Sequence, residues 1–276
     1  MLRAFRRLSL LVALTAALLL PSVPAHADPG PPPSSMSSLG DSITRAFNAC
    51  GWYYDCTSRS WSTGSYSTVN SHYRRILAKN SAISGRNYND ARSGARASDM
   101  YGQAGTAASR GVQYVTMLIG ANDACTSSES TMTPVTTYRS QINSALSRLK
   151  SGLPNAKVYI VSVPDIKRLW AIGKNNSSAR YAWSQFNICQ SMLANPTSTH
   201  PDDEARRNRV RQRVIDYNAQ LAQACVAYGA NCKFDNNAIF NYPFVLSQVS
   251  SWDYFHPNTE GQRVLAQVSY GAGFGW

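Results

Sequence analysis

The stretch Tyr114-Val115-Thr116-Met117-Leu118-Ile119-Gly120-Ala121-Asn122-Asp123 passes from a short apolar run into a glycine and a polar pair. Such a run, rich in β-branching and closed by a turn signal, suits a strand covered on both faces, as in parallel sheets. Val158-Tyr159-Ile160-Val161-Ser162-Val163, stopped by Pro164, reads the same way. Helical spacing surrounds these runs at about 69–79, 97–108, 134–151 and 203–228. In the last, Val210, Val214, Tyr217, Leu221 and Cys225 recur as a buried stripe. Strands alternating with helices predict a three-layer α/β/α fold with a central, mostly parallel sheet of about five strands. A first strand at 36–39 is weakly written, because serine dominates it. Residues 165–200, between the fourth strand and the long helix, form an insertion whose pattern predicts no structure.

Outward from this core, the N-terminus reads as an export segment. Arg3, Arg6 and Arg7 precede an apolar run from Leu8 to Leu20, and Ala25-His26-Ala27 supplies a small-residue cleavage site. A membrane anchor is the rival reading, but about 13 apolar residues fall short of the roughly 20 that span a bilayer. The expectation is a secreted protein with a signal peptide at 1–27, a stiff Pro/Ser-rich leader at 28–35 and a single domain at 36–276. No later stretch is apolar enough to span, and nothing in the pattern calls for more than a monomer. Six cysteines remain after export, and an even count in an oxidising compartment implies disulfides. Cys50–Cys56 and Cys225–Cys232 are the natural local pairs, which leaves Cys125–Cys189 as the long one. A structural zinc would need a C-x-x-C or a matching histidine pair, and neither is present.

The formal charge is +12, and removing Arg3, Arg6 and Arg7 leaves +9. Such a chain favours anionic partners: phospholipid headgroups, acidic polysaccharides or nucleic acid. Nucleic acid rests on charge alone and has no recognition motif, so it is set aside. Arg206, Arg207, Arg209, Arg211 and Arg213 crowd one expected helix, either as a solvated face or as a binding patch.

Ligands of open α/β sheets collect at the carboxyl ends of strands. Three polar signatures fall at or near such ends: Gly40-Asp41-Ser42-Ile43-Thr44, Gly120-Ala121-Asn122-Asp123, and Asp253-Tyr254-Phe255-His256-Pro257. Between the first two lies Asn89-Asp90-Ala91-Arg92-Ser93-Gly94, with its glycine in a turn before a helix. Each fragment alone is common; their order, spacing and placement agree. A serine hydroxyl needs a base to take its proton, and His256 is the one histidine in a motif-like setting. His72 falls in an expected helix and His200 in the insertion. Asp253, three residues before His256, can turn back to orient the imidazole. Asp41 and Asp123 are read as structural, capping backbone N–H groups.

This set resembles the SGNH subgroup of the GDSL hydrolases, with the four blocks matched at Ser42, Gly94, Asn122 and His256. Ser60-Trp61-Ser62-Thr63-Gly64, Asp99-Met100-Tyr101-Gly102-Gln103-Ala104 and the run from Gly120 to Cys125 look closest to the phospholipase-B-like branch. The resemblance implies a flavodoxin-like SGNH fold and a serine hydrolase with Ser42, His256 and Asp253 as triad. It also implies an oxyanion hole made by the backbone N–H groups of Ser42 and Gly94 and the Asn122 side chain, with no metal or organic cofactor. A lipid ester is the expected substrate, a phospholipid or lysophospholipid first. The same fold and triad serve polysaccharide O-acetylesterases, and a binding protein without turnover is the reading from another class. Trp52, Tyr53, Tyr54, Trp61, Tyr66, Trp170 and Trp183 suit acyl chains, a lipid interface or sugar stacking equally, and core packing explains part of them.

Overall fold

The computed structural model describes residues 30–276, so the export segment expected at 1–27 lies outside the described residues. Five strands, β1 (Met36–Gly40), β2 (Asn87–Asn89), β3 (Tyr114–Leu118), β4 (Lys157–Ile160) and β5 (Cys232–Phe234), make one sheet. Its order is β2-β1-β3-β4-β5 and every pairing is parallel. The helices are α1 (His72–Leu77), α2 (Met100–Ser109), α3 (Ala121–Ala124), α4 (Val135–Gly152) and α5 (Ile166–Gly173), followed by α6 (Ser177–Gln185), α7 (Gln190–Leu193), α8 (Pro201–Tyr228), α9 (Ala238–Asn241) and α10 (Thr259–Gly271). On one face of the sheet α2 packs on α4 and α4 on α8. On the other, α1 and α10 meet through His72 and Ser269, and Tyr114 and Tyr159 reach up to them from the sheet. The expected three-layer architecture is the observed one.

The serine-rich β1 is nonetheless an interior strand, with all five residues buried. Its hydroxyls are satisfied sideways: Ser37 Oγ donates to Asp90 and Ser38 Oγ bonds Thr63 Oγ1. Such pairing removes the penalty that makes a buried serine strand look improbable. The run 158–163 leaves the sheet sooner than its composition suggests, because β4 ends at Ile160. Beyond it, side chains replace ladder partners. Ser162 Oγ donates to Asp235, and Asn218 both accepts from Val163 N and donates to Val163 O.

The insertion at 165–200 is helical, carrying α5, α6 and α7. Trp170 and Trp183 are buried there, with indole N–H groups donating to Pro196 O and Tyr254 O. Trp61 is buried as well. These three tryptophans are packing residues rather than a ligand platform. The arginines of α8 are neither a bare solvated face nor a free patch. Arg206 pairs with Asp203, Arg207 with Glu204, Arg209 with Glu129 and Arg211 with Asp165, while Arg213 donates to Thr133 O. Arg207 is fully buried and its guanidinium lies 4.5 Å from the Trp170 ring. Among the described residues, no helix is long and apolar enough to cross a membrane.

Candidate active site

Ser42 lies two residues past the end of β1, and the chain must turn sharply there. Gly40 makes the turn at φ +149°, where a Cβ would press into Leu118 O from β3. Two buried glutamines hold the loop on either side of the serine. Gln103 of α2 accepts from Gly40 N at 2.8 Å and donates to Gly40 O at 2.9 Å. Gln262 of α10 donates to Ile43 O at 2.8 Å and accepts from Trp61 N at 2.9 Å. Asp41 Oδ1 caps Ile43 N at 2.9 Å, a local structural role. Burial pushes its carboxyl up to about 7, against the pull of that hydrogen bond and of His256.

His256 arrives from the loop before α10. Its Nε2 lies 2.7 Å from Ser42 Oγ and its Nδ1 lies 2.6 Å from Asp253 Oδ2. Asp253 Oδ1 accepts from the backbone N–H groups of Phe255 and His256 at 2.9 and 3.1 Å, which folds the loop back on itself. Burial works to raise the Asp253 carboxyl, but the His256 bond and these N–H donors hold it below the usual carboxylate range. The imidazole is packed edge-on by Phe47 and Phe255, each with ring centroids 5.0 Å away. An orienting carboxylate, an imidazole and a hydroxyl in line can pass a proton from the hydroxyl, which would then serve as a nucleophile.

Gly94, at φ +79°, sits in the turn after Arg92, whose N–H bonds Gly40 O. Among the described residues, neither Ser42 N–H nor Gly94 N–H has a protein acceptor. Asn122 stands on α3, directly past β3, and donates from Nδ2 to Ala95 O at 2.9 Å, which leaves its second amide hydrogen for another acceptor. Asp123 accepts from Ala97 N and Thr133 Oγ1, so it ties α3 to its neighbours.

The cysteines join as Cys50–Cys56, Cys125–Cys189 and Cys225–Cys232. Cys125 and Cys189 line the cleft beside Asn122 and His256 together with Phe47, Tyr53 and Phe186. Trp52, Tyr53, Phe186 and Trp252 are exposed at the rim. Tyr53 lies 5.4 Å from Trp252 and 6.0 Å from Phe186, and Trp52 lies 5.6 Å from Trp252, centroid to centroid. Sequence reasoning missed Phe47, Asn48, Gln262, Phe186 and Trp252. Gln103 lies inside the run Asp99–Ala104, whose sequence alone gives it no role.

The sequence profile described as GDSL-like lipase/acylhydrolase matches residues 38–268. Among solved structures, a chain described as a GDSL-like lipase from Parabacteroides merdae superposes with a TM-score of 0.54 at 15% identity, covering 86% of this chain and 94% of that one. A mutant acetyl-xylooligosaccharide esterase from Geobacillus Stearmophilus gives 0.50 at 15% identity, covering 88% and 94%. An extracellular lipase from Streptomyces rimosus gives 0.49 at 19% identity, covering 87% and 99%. At such identities the first two show a shared fold and no more. No curated protein sequence matches the chain.

Proposed function

The chain belongs to the GDSL-like lipase/acylhydrolase family, and on that footing we propose a secreted serine hydrolase of lipid carboxylic esters, phospholipids and lysophospholipids first. The observation that carries the reading is the relay from Asp253 through His256 to Ser42, at 2.6 and 2.7 Å. His256 Nε2 takes the Ser42 proton as Oγ adds to the ester carbonyl carbon. The oxyanion so formed is received by the free N–H groups of Ser42 and Gly94 and the second amide hydrogen of Asn122. Collapse expels the alcohol, which leaves with the proton from His256, and the acyl group stays on Ser42. Water, deprotonated by His256, then releases the carboxylic acid and restores the serine. Asp253 stays ionised throughout and balances the imidazolium.

The open cleft that holds Asn122 and His256 favours acyl chains over acetyl groups, because Phe47, Tyr53, Phe186, Ile188 and Phe255 give it apolar walls. The exposed aromatic rim suits a lipid–water interface, and a mature charge of +9 would draw it to anionic surfaces. The test is a hydrolysis panel on the mature protein and Ser42→Ala: phospholipids, lysophospholipids, triacylglycerols, nitrophenyl esters of several chain lengths and acetylated xylan. The expected outcome is cleavage of phospholipid and lysophospholipid by the wild type alone. Cleavage should be faster on anionic vesicles and weakened by salt, which screens charges beyond about 8 Å at physiological strength. Strong deacetylation of xylan with lipids untouched would move the assignment to a polysaccharide esterase.

A further inference from the structure

We propose that Asn48 is the positioning residue of the Asp253 carboxylate, an inference that rests on the triad reading. Asn48 is 1% exposed and its Nδ2 donates to Asp253 Oδ2 at 2.6 Å, the same oxygen that accepts His256 Nδ1–H. The two residues are 205 positions apart, so local chain geometry does not impose the contact. The carboxylate fixes the orientation of the amide, since turning it would set carbonyl oxygen against charged oxygen. Asn48 Oδ1 in consequence is buried with no partner. A buried acceptor left unpaired is a cost, and the donor half of the amide is what the site keeps in return.

The backbone of Asn48 supports the same role. It sits at φ +63°, in the left-handed region, where asparagine is tolerated and most residues are strained. Its N–H donates to Tyr54 O, and its carbonyl accepts from Gly51 N and Ser250 Oγ. The nucleophile segment, the Cys50–Cys56 loop and the loop carrying Asp253 are thereby knotted at one residue. Each oxygen of Asp253 has two donors: Phe255 N and His256 N on Oδ1, Asn48 and His256 Nδ1 on Oδ2. Asn48 supplies the only one of these four from outside the 253–256 turn. It sets the direction in which the carboxylate presents Oδ2, and with it the tilt of the imidazole toward Ser42.

The test uses Asn48→Gly, which removes the donor and relaxes the backbone, and Asn48→Ala, which removes the donor and keeps a Cβ. His256 is a charged group that holds the Asp253 carboxyl down, and it acts on the buried Asp41 carboxyl as well. Without the Asn48 bond the Asp253 charge is less dispersed and holds the His256 proton more firmly. The acid limb of kcat/KM on a short nitrophenyl ester should therefore move to higher pH in both variants. Loss of a hydrogen bond to a charged group should lower kcat about ten- to a hundredfold, with KM unchanged. Should Asn48→Gly fail to fold, Asn48→Ala carries the test, because Ala46 already holds φ +53° in the same loop. A wild-type kcat, or a lower kcat with an unmoved acid limb, would overturn the positioning role while Ser42→Ala stays inactive. Full activity in Ser42→Ala would instead remove the triad and this inference with it.

Discussion

Asn122 spends one amide hydrogen on Ala95 O and keeps the other. The first bond fixes the side chain before any substrate arrives, so in its proposed role it would donate to a developing oxyanion without reorganisation. Asn122→Ala should lower kcat by about a hundred- to a thousandfold with little change in KM, the expected loss for one oxyanion donor. Steady-state kinetics on a soluble ester decides this, with a melting curve to show that losing the Ala95 contact has not unfolded α3. An unchanged kcat would remove Asn122 from the chemistry. As candidates, Ser42, Asn122 and His256 were legible in the sequence because each stands in a short polar motif at or near a strand end. Asn48 and Gln262 were not. A single amide in a loop or helix looks like any other, and its partner lies about two hundred positions away. Only folding brings such pairs together.

The insertion carrying α5–α7 holds the cleft from two sides. Cys189 at the head of α7 is bonded to Cys125, three residues past Asn122. Trp183 in α6 donates to Tyr254 O, inside the Asp253–His256 turn. Its helices were not legible because the apolar spacing is interrupted by Asn175, Asn176, Asn187 and Asn195, while α8, with an unbroken stripe, read correctly. What fixes α5–α7 is long-range: a disulfide, two indole N–H bonds and carbonyls accepting from Arg206. Chain entropy assigns a bond closing 64 residues about 4 kcal/mol. Cys125→Ser/Cys189→Ser should therefore lose activity tenfold or more at temperatures where circular dichroism remains native. If activity and ellipticity instead fall together on heating, the bond supports the whole domain and not the cleft in particular.

Across the whole molecule, one buried ring joins both the sheet and the α1/α10 layer. His72 is 1% exposed, with Nδ1 2.9 Å from Tyr114 OH and Nε2 2.8 Å from Ser269 Oγ. Burial, reinforced by Arg75, holds its imidazole down at about 3, against an ordinary 6.5. The folded state therefore binds fewer protons than the unfolded state between those values, so stability is lost as pH falls from 6.5 toward 3. Denaturant titrations of wild type and His72→Gln at pH 7.5, 5.5 and 4.5 should diverge. The wild type should lose up to roughly 1.4 kcal/mol per pH unit relative to the variant. Parallel curves would mean that the ring titrates normally. The sequence placed His72 on a helix and no further, since burial is a property of the two layers that close over it.

Ser42 and His256 are 214 positions apart, and the serine comes first. A chain emerging from the ribosome offers Ser42, Gly94 and Asn122 long before it offers His256. Until translation reaches His256 the proposed relay has no partner for the hydroxyl, so on the triad reading the unfinished polypeptide is catalytically silent.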